Sequence, residues 1–150
     1  MSLIYTFPQK PPTSTSNSSS YSSSVIPKSL SSAAYGIYIG GKAEAKSRSF
    51  LLKHQICYIL NVTPKISSDV KAGVPNYFEK ETAVGPSSHG RLQFKYMRIS
   101  IYDVASTNLR EHVDDAFKFI HRGSHYGSVL VHCQRGVSRS TSCVITYLMR

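Results

Sequence analysis

The chain of 150 residues carries 18 Lys and Arg against 8 Asp and Glu, a formal charge of +10, with 41% hydrophobic and 17% charged residues. This length suits a single domain, the charge predicts attraction to polyanions or phosphorylated, acidic surfaces, and uncharged polar residues dilute the composition. Three irregularly spaced cysteines, Cys57, Cys133 and Cys143, exclude a disulfide framework and paired zinc-ligand spacing, and favour a reducing compartment.

The start, MSLIYTFPQKPP, lacks the apolar run of a secretory signal, and no stretch approaches the roughly 18 to 20 apolar residues of a membrane span. Neither a glycine for myristoylation nor a C-terminal prenylation cysteine is present. The expectation is a soluble protein of the cytoplasm or nucleus. Organellar import is a lesser alternative: the start is Ser-rich and free of acid before Glu44, but its first arginine is Arg48 and it shows no amphipathic face. Residues 1–32, rich in Ser and Pro, are expected to form a disordered tail, because they cannot bury enough apolar surface to offset their ordering entropy.

From residue 33 to 150 strand-like and helix-like pieces alternate, which predicts an α/β domain with a partly parallel sheet. Tyr35–Gly41 reads as a strand ending in a glycine turn, and Ala43–His54 as one helix with Ala43, Ser47, Phe50, Leu51 and His54 on a shared face. Ile56–Val62 is an almost continuous apolar run, the pattern of a strand covered on both sides. Thr63–Gln93, with Pro64, Gly73, Pro75, Gly85, Pro86 and Gly90, reads mostly as loop. Strand character resumes over Phe94–Ile101. After Tyr102 and Asp103 comes a helix, with Asn108 as cap, Glu111 three residues on, and Leu109, Val113, Phe117 and Ile120 as its buried stripe. Ser128–His132 is a short apolar strand, and Thr141–Met149 an apolar helix.

Between those last two elements runs His132-Cys133-Gln134-Arg135-Gly136-Val137-Ser138-Arg139-Ser140. Loop amides and a helix N-terminus would converge there on one point and hold a phosphate or sulfate. The same field lowers the pKa of a thiol at Cys133 and marks it as a nucleophile. Arg139 brings a planar fork for two phosphoryl oxygens, and Gly136 a turn without a Cβ. The plain alternative for Cys133 is a small buried hydrophobe.

Cys-x5-Arg-Ser between VLVH and an apolar helix resembles the signature of the cysteine-based protein tyrosine phosphatases, and HCQRGVSRSTSCVITYLM resembles their dual-specificity branch. The resemblance extends from about Tyr35 to Arg150 through IYIGGKAEAKSRSFLLKHQICYILNVT, VPNYFE and FKYMRISIYD. RISIYDVASTNL is similar to slingshot phosphatases, whereas IYIGG and GVSRSTSCVITYLM suit MAP-kinase phosphatases equally.

The resemblance implies a central, mixed but mostly parallel sheet flanked by helices, and a dual-specificity protein phosphatase needing no cofactor or metal. Its substrates would be phosphoproteins, with a MAP kinase or an actin-regulating phosphoprotein as candidates. It implies Cys133 as nucleophile, Arg139 as phosphate clamp, Asp103 as general acid and Ser140 as hydrogen-bond donor to the thiolate. Asp69, Asp114 and Asp115 are the weaker candidates for the acid. Gln134, Arg135, Gly136, Val137 and Ser138, with Arg139, would bind the phosphate. His132 is expected to orient the loop by hydrogen bonding. Asn61 is a candidate brace for the loop, or an ordinary turn residue. Arg135 would favour acidic flanking sequence or stay solvated. Cys57 is expected in the core rather than in a disulfide with Cys133, and Cys143 in the core. Relatives continue with further helices beyond the one ending near Arg150, so the domain is expected to be C-terminally incomplete. A non-catalytic phosphoprotein-binding module stays open as an alternative; a nucleic-acid binder rests on charge alone.

Overall fold

The computed structural model of the chain describes residues 2–6, 35–67, 70–80, 94–104 and 107–150. Five strands, β1 (Ser2–Thr6), β2 (Gly36–Gly40), β3 (Ile56–Asn61), β4 (Lys95–Arg98) and β5 (Ser128–His132), form one sheet in the order β1-β2-β5-β3-β4. The four strands from β2 onward are mutually parallel, and β1 alone runs antiparallel, against β2. Four helices pack on the sheet: α1 (Lys42–Lys46), α2 (Arg48–Lys53), α3 (Val113–Ser124) and α4 (Arg139–Leu148). The mixed, mostly parallel α/β architecture is thus the one expected.

The central strand β5 is buried along its whole length. Parallel neighbours on both sides take its backbone groups, and helices cover both faces, so SVLVH carries no polar residue between Ser128 and His132. On one face Ile37, Ile39, Leu60, Val129 and Val131 meet Ala116 and Ile120 of α3 and Val144 of α4. On the other, Tyr38, Ile59 and Leu130 meet Ala45 and Leu51. Burying a side chain such as Leu130 contributes about 2 kcal/mol. Strand alternation breaks within β3: the register slips between Ile56 and Tyr58, leaving Cys57 as the extra residue, so Ile56 joins Ile59 on one face and Tyr58 joins Leu60 on the other.

Several local expectations differ from the structure. The single helix over Ala43–His54 is two helices, because extended Ser47 ends α1 through its amide to Glu44 O, 3.1 Å, and opens α2 by accepting Phe50 N at its hydroxyl, 3.3 Å. Ala45 and Leu51 are the buried residues of the pair, not Ala43. Asn108 does cap, accepting Arg110 N and donating to Glu111, but it caps a 3-10 turn over Leu109–His112. Of the expected stripe, Ile120 is buried, Leu109 packs partly buried against the core, and Val113 and Phe117 are half-buried; the other buried residues of α3 are the small Ala116, Gly123 and Ser124. Ser2–Thr6, inside the stretch expected as disordered tail, is strand β1. Its SLIYT sequence has the β propensity that the Ser-rich remainder lacks, and β2 offers it an edge. The rest of that tail, residue 1 and residues 7–32, lies outside the described residues, as do 68–69 and 81–93 of the expected loop. Among the described residues no helix is long and apolar enough to cross a membrane.

Candidate active site

All parallel strands point their C-terminal ends at one edge of the domain, and β5 delivers Cys133 there, directly after His132. The loop after β5 is held from behind by the turn after β2: Gly40 O accepts Cys133 N at 3.3 Å, and Lys42 N donates to Gln134 O at 3.1 Å. Gly136 has φ +74°, and a Cβ on it would lie 2.6 Å from the Gly40 carbonyl carbon. Only glycine fits that position without displacing the loop. The loop therefore curls over Cys133 Sγ, with Gly136 N donating to it at 3.1 Å and Ser140 Oγ at 3.5 Å.

Cys133 is 2% exposed, and burial alone would oppose its ionisation. The Ser140 hydroxyl and the amides of Ser140, Gly136 and Arg135 outweigh that penalty and bring the thiol below its ordinary pKa. Cys143 shows the reverse. On α4, buried and close to the Cys133 charge, it is pushed up to about 11 and stays a neutral core thiol. Burial likewise raises Cys57.

Arg139 opens α4 and is itself buried. Its Nη1 donates to Ile101 O at 3.1 Å, and its Nη2 stands 3.5 Å from Asp103 Oδ2, on a carboxylate that is mostly exposed. Asp103 thus comes from the segment after β4 to the same cleft as the cysteine. That cleft, of about 460 Å³, is lined by Asp103, Cys133, Gln134, Arg135, Val137, Ser138 and Arg139 together with Ala72. Arg135, Val137 and Ser138 are exposed at its rim. An anion seated there would face backbone amides, one guanidinium fork and a low-pKa sulfur at once.

Two supporting residues stand otherwise than expected. Neither ring nitrogen of His132 reaches a hydrogen-bond partner of good geometry among the described residues. The ring is fully buried, and that burial, helped by the Arg98 charge, lowers its pKa to about 4 against partial opposition from the Cys133 backbone and Glu44. It packs under the loop as a neutral ring; the backbone of His132 does the bonding, its carbonyl accepting Val62 N at 2.9 Å. Asn61 braces a different loop. Its amide nitrogen donates to Val74 O and Asn76 Oδ1, both at 2.8 Å, and its oxygen accepts from the Thr63 amide and hydroxyl.

Cys57 sits beside Gly127 at the start of β3, at the far end of the sheet from Cys133. Five residues of strand at about 3.3 Å each separate the two levels, well past the roughly 7 Å limit for a bridge. Asp114 and Asp115 lie exposed on α3, and Asp114 pairs with Arg150; Asp69 lies outside the described residues. Sequence reasoning found the glycine turn at Gly40–Gly41 but missed its contact with the Cys133 loop, and it missed Ala72. The glycine pair was a usable signal for close approach, whereas Ala72 reaches the cleft from a segment distant in sequence. No group of three or more His, Cys, Asp or Glu among the described residues is placed to hold a metal ion.

Residues 37–150 match the family model "Dual specificity phosphatase, catalytic domain". Over 115 residues the chain is 37% identical to "Protein phosphatase Slingshot" of Drosophila melanogaster, covering 76% of this chain and 9% of that protein. It is 36% identical over 115 residues to human "Dual specificity protein phosphatase 9", covering 76% of this chain and 25% of the relative. The chain therefore spans a quarter or less of these relatives. The solved structure of the human tyrosine phosphatase-like serine/threonine/tyrosine-interacting protein superposes with a TM-score of 0.59 at 26% identity, over 75% of this chain and 67% of that one. With a matching family model across most of its length and the cysteine-arginine loop at the strand ends, the chain belongs to the dual specificity phosphatase catalytic-domain family.

Proposed function

We propose that this protein is a dual-specificity phosphatase that hydrolyses phosphotyrosine and phosphoserine or phosphothreonine in proteins through a phosphocysteinyl intermediate. The observation that carries the reading is Cys133 Sγ under the donors of Gly136 and Ser140, in one cleft with Arg139 and Asp103. The phosphoryl group enters with its free oxygens on the loop amides and on Arg139, which exchanges its contact with Asp103 for the anion. The Cys133 thiolate attacks phosphorus; the S–P bond forms as the ester P–O bond breaks, and Asp103 gives its proton to the departing oxygen. Water then attacks the phosphocysteine, its proton passes to the Asp103 carboxylate, and the sulfur leaves as a thiolate again held by Ser140 and Gly136.

The same donors serve both halves of the reaction, because thiolate charge is lost in the first and regained in the second. Substrates with acidic flanking residues suit the exposed Arg135 at the rim and the overall charge of +10. MAP kinases and actin-regulating phosphoproteins are both within this class. A nucleophile that works as a free thiolate also fits a reducing, cytoplasmic or nuclear setting.

The test is hydrolysis of a matched phosphotyrosine and phosphothreonine peptide pair in chelator and reductant, beside Cys133→Ser, with circular dichroism on each sample. Turnover of both peptides that disappears in a folded Cys133→Ser variant is the expected result. Folded wild-type protein without turnover, or turnover that survives the loss of Cys133, would overturn the reading.

A further inference from the structure

Arg98, at the end of β4, belongs to neither the catalytic loop nor the core, yet its side chain makes five polar contacts. Nη1 donates to Thr63 O at 2.9 Å, with Pro64 O at 3.0 Å and Thr63 Oγ1 at 3.3 Å. Nη2 reaches Val74 O at 2.8 Å and Asn76 Oδ1 at 3.0 Å. Every acceptor is uncharged, and they fall in two groups: the beginning and the end of the loop that leaves β3. Asn61, the register partner of Arg98 across β3 and β4, donates to the same Val74 O and Asn76 Oδ1. Two adjacent strand ends therefore grip one loop at shared points.

The loop needs such a grip. It has no strand or helix over its described residues, and its limbs are pressed together so closely that a Cβ on Gly73 would lie 2.3 Å from Pro64 O. Next to Gly73 stands Ala72, which lines the cleft beside Cys133 and Asp103. We propose that Arg98 is a positioning residue: its guanidinium bridges the two limbs of the loop over residues 63–76 and so sets Ala72 as a wall of the catalytic cleft, against which the peptide around a phosphorylated residue rests. This deepens, and rests on, the reading of the cleft as a phosphoprotein site. Only a planar fork reaches both limbs, and a lysine, with one nitrogen, keeps the charge but not the bridge. Burial lowers the Arg98 pKa, with the Glu79 charge acting against it, in keeping with a guanidinium enclosed by backbone.

The experiment measures binding to the Cys133→Ser protein of two probes: a phosphotyrosine peptide, and inorganic phosphate, which meets the Cys133 loop but is too small for the wall. Adding Arg98→Gln should weaken peptide binding about five- to tenfold, the scale of one or two lost hydrogen bonds, and leave phosphate binding within about twofold. Amides of residues 63–76 should exchange hydrogen faster while those of residues 133–139 do not. Arg98→Lys should resemble Arg98→Gln. Should Arg98→Gln fail to fold, Asn76→Ala removes the shared acceptor without touching the sheet and should give a smaller loss confined to the peptide. Equal weakening of both probes, no weakening of either, or full rescue by lysine would overturn the proposal while leaving the phosphate site standing. A parent protein that binds neither probe would overturn the site reading and the proposal together.

Discussion

Acidification should destabilise this fold through one residue, His132. In the unfolded chain its ring titrates near 6.5; in the folded protein burial holds it at about 4. Between those values the unfolded chain binds a proton that the native state refuses, so stability is intact above about pH 6.5 and falls as pH drops toward 4. At about 1.36 kcal/mol per pKa unit the gap amounts to roughly 3 kcal/mol, a large share of the roughly 5 to 15 kcal/mol that holds a domain of this size. Urea unfolding of the wild type and of His132→Phe at about pH 7.5, 6 and 5 isolates the term, because carboxylates and the other histidines contribute equally to both. The variant starts less stable, having an imperfectly fitting ring, but its stability should decline less steeply, and the two curves should converge on acidification. Parallel curves over that range would show that the native state accommodates a protonated ring and would refute the argument.

Ser140→Ala removes the hydroxyl donor at 3.5 Å from the sulfur. The pH at which Cys133 becomes reactive toward iodoacetamide should move upward, and the acid limb of kcat/KM should move with it; an unchanged alkylation profile would count against Ser140 as a thiolate donor. Asp103→Asn should lower kcat about 10²- to 10⁴-fold on phosphoserine peptides, with a much smaller loss on aryl phosphates whose leaving groups need no proton, read as a ratio of the two rates. Gly136→Ala should empty the anion site, because a Cβ there meets the Gly40 backbone. Calorimetry should find no phosphate binding, with stability lower by about 1 to 3 kcal/mol.

The strand-loop-helix unit around Cys133 was legible because each part carries its own local signal: an apolar strand, a glycine, a polar loop, an apolar helix. What escaped was set by phase and distance. Ser47 divides a helical periodicity that looks continuous, since its hydroxyl competes for Phe50 N. In α3 the small residues Ala116 and Gly123 are buried beside Ile120, and a pattern of large apolar side chains does not mark them. The extra residue at Cys57 reverses strand parity without any glycine to mark it. β1 is as long as β2 and β5, but it adjoins a Ser-rich stretch and pairs only with a strand that follows 29 intervening residues. Asn61, Arg98 and His132 have recognisable chemistry, but their surroundings come from segments 13 to 35 positions away or from burial on all sides. Asn61 sits at a strand end, where a turn role and a bracing role look alike until its partners Val74 and Asn76 are known.

The antiparallel strand β1 reaches further than its five residues suggest. It pairs Ser2 with Ile39 through to Thr6 with Gly36, across a bulge between Leu3 and Tyr5. It thereby occupies the row of β2 amides and carbonyls that would otherwise template a strand from another molecule. The pairing joins segments separated by 29 intervening residues, and the departure of β1 would free the β2 edge for association with another copy. The C-terminal end of β2 is Gly40, whose carbonyl holds the Cys133 amide. The edge that β1 closes and the hold on the Cys133 loop therefore share one strand, so a disturbance of β2 from its edge side would reach the catalytic cysteine.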